Sequence, residues 1–137
     1  MKRLLFIILF VFACSMAFTQ SRIGYSVSEI TREFSESHYN LIGRYIKDNT
    51  YYMTMSIYNA SVGYLFDSNN ICNATLIIPN NQGALNYYVE SYNKRYVVVG
   101  PRQWKMYSTG GISTIDLIYT DEGGYFFLWQ ELVTGKL

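Results

Sequence analysis

Charge and histidine are both scarce in this chain. Of its 137 residues only 15% are Asp, Glu, Lys or Arg, and histidine occurs once, as His38. No run of like charge exists, and the formal net charge is +1. Such a balance gives no electrostatic reason to seek nucleic acid or an anionic membrane surface. Cysteine occurs twice, at Cys14 and Cys72, and proline twice. One histidine and so few cysteines leave no ligand spacing for a zinc site. No glycine-rich segment opens a helix, so the geometry that cradles a phosphate is missing. No cofactor is expected.

Hydrophobic residues are abundant, at 50%, and 14 of the residues are tyrosine. This composition predicts a packed core and argues against disorder. Tyrosine suits strands and surfaces that are part wet and part dry. The length fits one domain.

The first twenty residues read MKRLLFIILFVFACSMAFTQ. Lys2 and Arg3 precede an apolar run over residues 4–13, followed by small residues at Ser15, Ala17 and Thr19. This pattern predicts a signal peptide over residues 1–19, with one exported domain over 20–137 in the periplasm or outside the cell. The run is too short to cross a bilayer. Its removal would move the formal charge from +1 to −1 and leave Cys72 alone, so no intramolecular disulfide could form. Val11-Phe-Ala-Cys14 also resembles a bacterial lipobox, in which Cys14 would carry the lipid of an envelope anchor. Cys72 itself reads as a small buried apolar residue.

Beyond the leader, Ser26-Val-Ser-Glu29 is a capping box, and Val27, Ile30 and Phe34 follow at helical spacing. A helix is expected over 27–36, with His38, Asn40 and Gly43 marking a loop after it. Residues 51–58 alternate Met53, Met55 and Ile57 with Tyr52, Thr54, Ser56 and Tyr58, the period of a strand. Further strands are expected over 62–67 and 71–78. The turn Asp67-Ser-Asn-Asn70 separates these two. In the second of them Cys72, Ala74, Leu76 and Ile78 would share one face. Asn80-Asn81 caps a second helix, whose Leu85, Tyr88, Val89, Tyr92 and Tyr96 form an apolar stripe. Gly100-Pro101 breaks the chain. Strands over 103–109, 112–120 and 124–132 follow, joined by Gly110-Gly111 and by Asp121-Glu-Gly-Gly124.

The expected order is helix, three strands, helix, three strands, an internal repeat of about 55 residues. Tyr39-Asn-Leu-Ile-Gly43 resembles Tyr96-Val-Val-Val-Gly100 in the same place after each helix, and segment 64–70 resembles segment 117–123 at the same hairpin, a weak match in letters. The predicted fold is α+β: two αβββ repeats in one mostly antiparallel six-stranded sheet, both helices on one face.

This helix-plus-meander layout, with its hairpin Tyr64-Leu-Phe-Asp-Ser-Asn-Asn-Ile-Cys72, resembles small secreted proteins of unknown function in Gram-negative bacteria. Over residues 24–132 it is also similar in layout to the β-lactamase inhibitor protein family and to small outer-membrane assembly lipoproteins. The resemblance implies binding of another envelope or secreted protein through the sheet, without catalysis. It assigns no individual binding residue.

The residues themselves offer two site readings. A sheet with one uncovered face would present Tyr52, Tyr58 and Tyr107, with Lys105, as an aromatic binding surface, because rigid rings bury area at low entropic cost. The rival is a hydrolase with His38 as base. Glu29 and Glu33 lie four apart on one helix face and read as a solvated pair beside Arg32, and Asp121-Glu122 as turn residues. Asn59-Ala-Ser61 and Asn73-Ala-Thr75 match the glycosylation sequon, relevant only in a eukaryotic secretory route.

Overall fold

A computed structural model describes residues 21–35, 40–48 and 50–132. The predicted leader, Cys14 and His38 lie outside the described residues. Among the described residues there are two helices, α1 (Val27–Ser35) and α2 (Gln82–Arg95). Eight strands accompany them: β1 (Asn40–Lys47), β2 (Thr50–Ser56), β3 (Ala60–Phe66), β4 (Cys72–Pro79), β5 (Val97–Gly100), β6 (Gln103–Ser108), β7 (Gly111–Tyr119) and β8 (Tyr125–Glu131). They form one antiparallel sheet in the order β1-β2-β3-β4-β8-β7-β6-β5.

The α+β class is as expected, but the strand count is not. The sheet has eight strands rather than six, and each helix is followed by four strands rather than three. The two extra strands, β1 and β5, are the edges. Both follow a helix directly in chain order, and both contain residues read from sequence as breakers. Asn40 and Gly43 fall inside β1, and Gly100 closes β5. A register shift in each strand, between Leu41 and Gly43 and between Val98 and Gly100, absorbs the irregular residues without ending the pairing.

Local chemistry fixes the helix starts. Glu29 N–H donates to Ser26 Oγ at 3.2 Å, and Ser26 N–H donates to Glu29 Oε2 at 2.8 Å, the reciprocal capping box. The Ser26 backbone and side-chain donors hold the Glu29 carboxyl below the usual carboxylate range. In α2, Ala84 N–H donates to Asn81 Oδ1 at 2.9 Å. The β3–β4 turn is set by Asp67 Oδ1, which accepts from Asn69 N–H (2.8 Å) and Ile71 N–H (3.0 Å), with Asn70 at φ 60°.

Both helices pack on the same side of the sheet. Ile30 and Phe34 of α1 lie on Met53, Met55, Val62, Tyr64, Phe66 and Cys72. Leu85, Tyr88 and Tyr92 of α2 lie on Ala60, Ile77, Trp104, Ile115, Phe127 and Trp129. Tyr92 sits at the centre of an aromatic cluster, with ring centroids 5.0 Å from Phe127 and 5.5 Å from Trp129. Trp104 Nε1 donates to Asn93 Oδ1 at 2.8 Å, which gives this buried ring its polar partner. Before α1, the buried Arg22 donates from Nε and Nη2, one edge of its guanidinium, to the two carboxylate oxygens of Glu33, with Nε–Oε2 at 2.8 Å. That pair ties the entering chain to the helix, and it is the only ion pair among the described residues.

Candidate functional site

Residues alternate across a strand, so the positions between the buried ones make up the second face of the sheet. On β3 and β4 these are Leu65 and Gly63, then Ala74, Leu76 and Ile78, of which the small Gly63 and Ala74 are themselves buried. On β8 and β7 they are Phe126 and Leu128, then Ile118, Asp116 and Thr114. Leu76 is at the middle. It stands opposite Gly63 on one side and Leu128 on the other. Phe126 stands opposite Ile118. Leu65, Leu76, Phe126, Leu128 and Ile118 are partly exposed, and Ile78 is 45% exposed. Neither core cluster beneath the helices includes these positions. Gly63 leaves a shallow dent beside Leu76; a Cβ there would touch Leu76 Cβ at 3.7 Å.

A bulge creates this face. Leu65 pairs with Ala74, and Phe66 pairs with Cys72, so Asn73 is an extra residue on β4. Cys72 therefore points to the helices, while Ala74, Leu76 and Ile78 point away from them. The expectation that Cys72, Ala74, Leu76 and Ile78 share one face fails at this bulge. A strict period of two cannot register an inserted residue. Cys72 is buried, its thiol 3.4 Å from the Ala74 carbonyl oxygen, and burial pushes its pKa up. It behaves as a small apolar residue.

The proposed aromatic residues do not gather in one place. Tyr52 lies on the open face of β2, opposite Leu65. Lys105 and Tyr107 lie on the open face of β6, opposite Thr114 and Ile112. Strands β2 and β6 are five positions apart in the sheet, about 24 Å at the usual strand spacing. Tyr58 is in the turn between β2 and β3 and is 99% exposed, not on a strand at all. The apolar centre between the two ends is what the sequence reading missed. Its signal is present in Leu76, which is placed on one face with Cys72, and in Leu128, which lies unremarked inside the strand expected over 124–132.

The polar residues of the face lie towards β6. Gln103 Nε2 donates to Asp116 Oδ1 at 2.7 Å. On the helix side a cleft of about 590 Å³ opens between Tyr25, the end of α2 at Arg95 and Tyr96, and the β6–β7 hairpin, with Met106 and Trp129 among its lining residues. Also on that side, the buried Tyr64 hydroxyl has no hydrogen-bond partner among the described residues, and burial raises its pKa. No group of three or more His, Cys, Asp or Glu residues converges among the described residues. No described helix is long and apolar enough to cross a membrane. No family model, curated protein or solved structure matches the chain.

Proposed function

We propose that the chain is an exported, non-enzymatic module that binds another protein or peptide through the uncovered face of its sheet. The observation that carries this reading is the partly exposed apolar centre of that face, around Leu76, Leu128 and Phe126, which belongs to neither core cluster beneath the helices. Contiguous exposed apolar surface on a folded domain marks an interaction site, because leaving it in water costs free energy that a partner recovers. Tyr52 at one end and Lys105 with Tyr107 at the other frame this centre as anchors for the partner. The leader pattern of residues 1–19 supports placement in the periplasm or outside the cell, with lipid attachment at Cys14 as the variant of that placement. The element order supports the finer view of the fold, in which two helix-and-meander halves join through β4 and β8 into one sheet.

The test is retention of partners from an envelope extract by the wild-type domain and by a Leu76→Ser/Leu128→Ser variant, with circular dichroism confirming that both are folded. The proposal expects the wild type to retain a partner that the variant loses. Equal retention by both, or no specific retention by either, refutes it.

A further inference from the structure

The edge strand β5 has an unusual surface. Val97, Val98 and Val99 are three consecutive valines, exposed to 50%, 54% and 42%. Among the described residues the strand pairs only with β6 on its inner side, and its outer side has no neighbour in the sheet. An edge of this kind presents free backbone donors and acceptors that invite another strand. Charge on the strand itself is one common protection for such edges. Here the charge sits beside the strand instead. Lys94 and Arg95 precede β5 and Arg102 follows it, all exposed. Lys105 stands directly opposite Val97 on β6. Residues 91–115 hold these four cations and no Asp or Glu. None of the four has an ion-pair partner among the described residues; Arg102 instead lies over the Tyr119 ring, 5.1 Å from its centroid.

We propose that β5 is a docking edge for an extended segment of another polypeptide, with apolar residues at its centre and acidic residues at its ends. The segment would add a ninth strand beside β5. Main-chain bonds and contact with the valines would supply affinity, and the flanking cations would select the acidic ends. This surface lies at the edge of the sheet, so the inference stands apart from the open-face reading above. Charge also argues against a second copy of this chain as the occupant. A two-fold antiparallel pairing centred on Val98 would set Lys94 of each copy against Arg102 of the other, with no acid to neutralise them. The register shift between Val98 and Gly100, and Pro101 after it, keep the added strand short.

The probe is a fluorescein-labelled nonapeptide, Asp-Glu-Val-Thr-Val-Thr-Val-Glu-Asp, compared with its counterpart carrying Lys at the four acidic positions. Fluorescence anisotropy is measured at low and at high salt. The acidic peptide is expected to bind at least about tenfold more tightly than the basic one, with the difference shrinking in high salt. Lys94→Glu/Arg95→Glu leaves two cations against two acids and should abolish the preference, and Val97→Ser/Val99→Ser should weaken binding of the acidic peptide without changing the circular dichroism spectrum. Leu76→Ser/Leu128→Ser should bind the peptide like the wild type, which separates this surface from the open face. Equal binding of the two peptides overturns the proposal, as does indifference to Lys94→Glu/Arg95→Glu. A dimer seen by light scattering and lost in Val97→Ser/Val99→Ser would also overturn it, with a second copy as the occupant.

Discussion

Phe126 and Phe127 are adjacent in β8, yet they face opposite sides of the sheet. Phe127 is 0% exposed, under α2, with ring centroids 5.0 Å from Tyr92, 5.8 Å from Tyr88 and 6.1 Å from Trp104. Replacing it with Ala leaves a cavity and removes three aromatic contacts, at a cost of about 3–5 kcal/mol. Phe126 is partly exposed on the open face, with Ile118 as its cross-strand neighbour. Its truncation removes only part of a buried ring's worth, about 1–2 kcal/mol. The gap between the two variants is therefore about 2 kcal/mol. Urea unfolding followed by circular dichroism resolves this, since at a slope of about 2 kcal/mol per molar it separates the midpoints by about 1 M. Against a total stability of about 5–15 kcal/mol, Phe127→Ala should remain folded but marginal. Equal losses, or a larger loss for Phe126→Ala, would refute the assignment of the two faces.

Three further outcomes follow from the local chemistry. Asn81→Ala removes the α2 cap and should cost about 1 kcal/mol in urea unfolding, with Asn81→Asp close to the wild type. The Glu29 carboxyl is held below its ordinary pKa by the Ser26 donors, so its folded form favours the ionised state. Its contribution is present above the ordinary carboxylate range and is lost as pH falls through the lowered value. The difference in thermal midpoint between wild type and Glu29→Gln should therefore exist at neutral pH and close in acid. Cys72 is buried, and its thiol is held protonated by that burial, so iodoacetamide should label it only after unfolding. Mass spectrometry of the peptide that contains Cys72 reads this directly, and fast labelling of the native chain would contradict it.

Much of the fold was legible in the sequence because the signals were local. The Ser26–Glu29 box, the Asn81 cap and the Asp67–Asn70 turn each use side chains that bond their own neighbouring backbone, and all three stand where expected. The tyrosine stripe of α2 reads correctly for the same reason, as helical spacing carries the pattern without help from the rest of the chain. What could not be read depends on partners distant in sequence. Strands β1 and β5 are edges, held by one neighbour each, and their glycines suggested breaks rather than bulges. The extra residue at Asn73 inverts the phase of β4, and only the register against β3 reveals it. That inversion turns Leu76 and Ile78 from apparent core residues into surface. The open face was anticipated as aromatic, whereas its centre is aliphatic with Phe126, and the tyrosines stand towards its ends. Tyr58 could not be placed from alternation because β2 stops at Ser56 and the turn takes over.

The uncovered face can be tested most directly by NMR with a soluble paramagnetic agent. The side-chain signals of Leu76, Leu128 and Phe126 should broaden strongly, while those of Ile77, Phe127 and Trp129, one residue away in the same strands, should not. Protection of both sets alike would mean that the chain covers this face itself, and the sheet would then have no free surface to offer a partner.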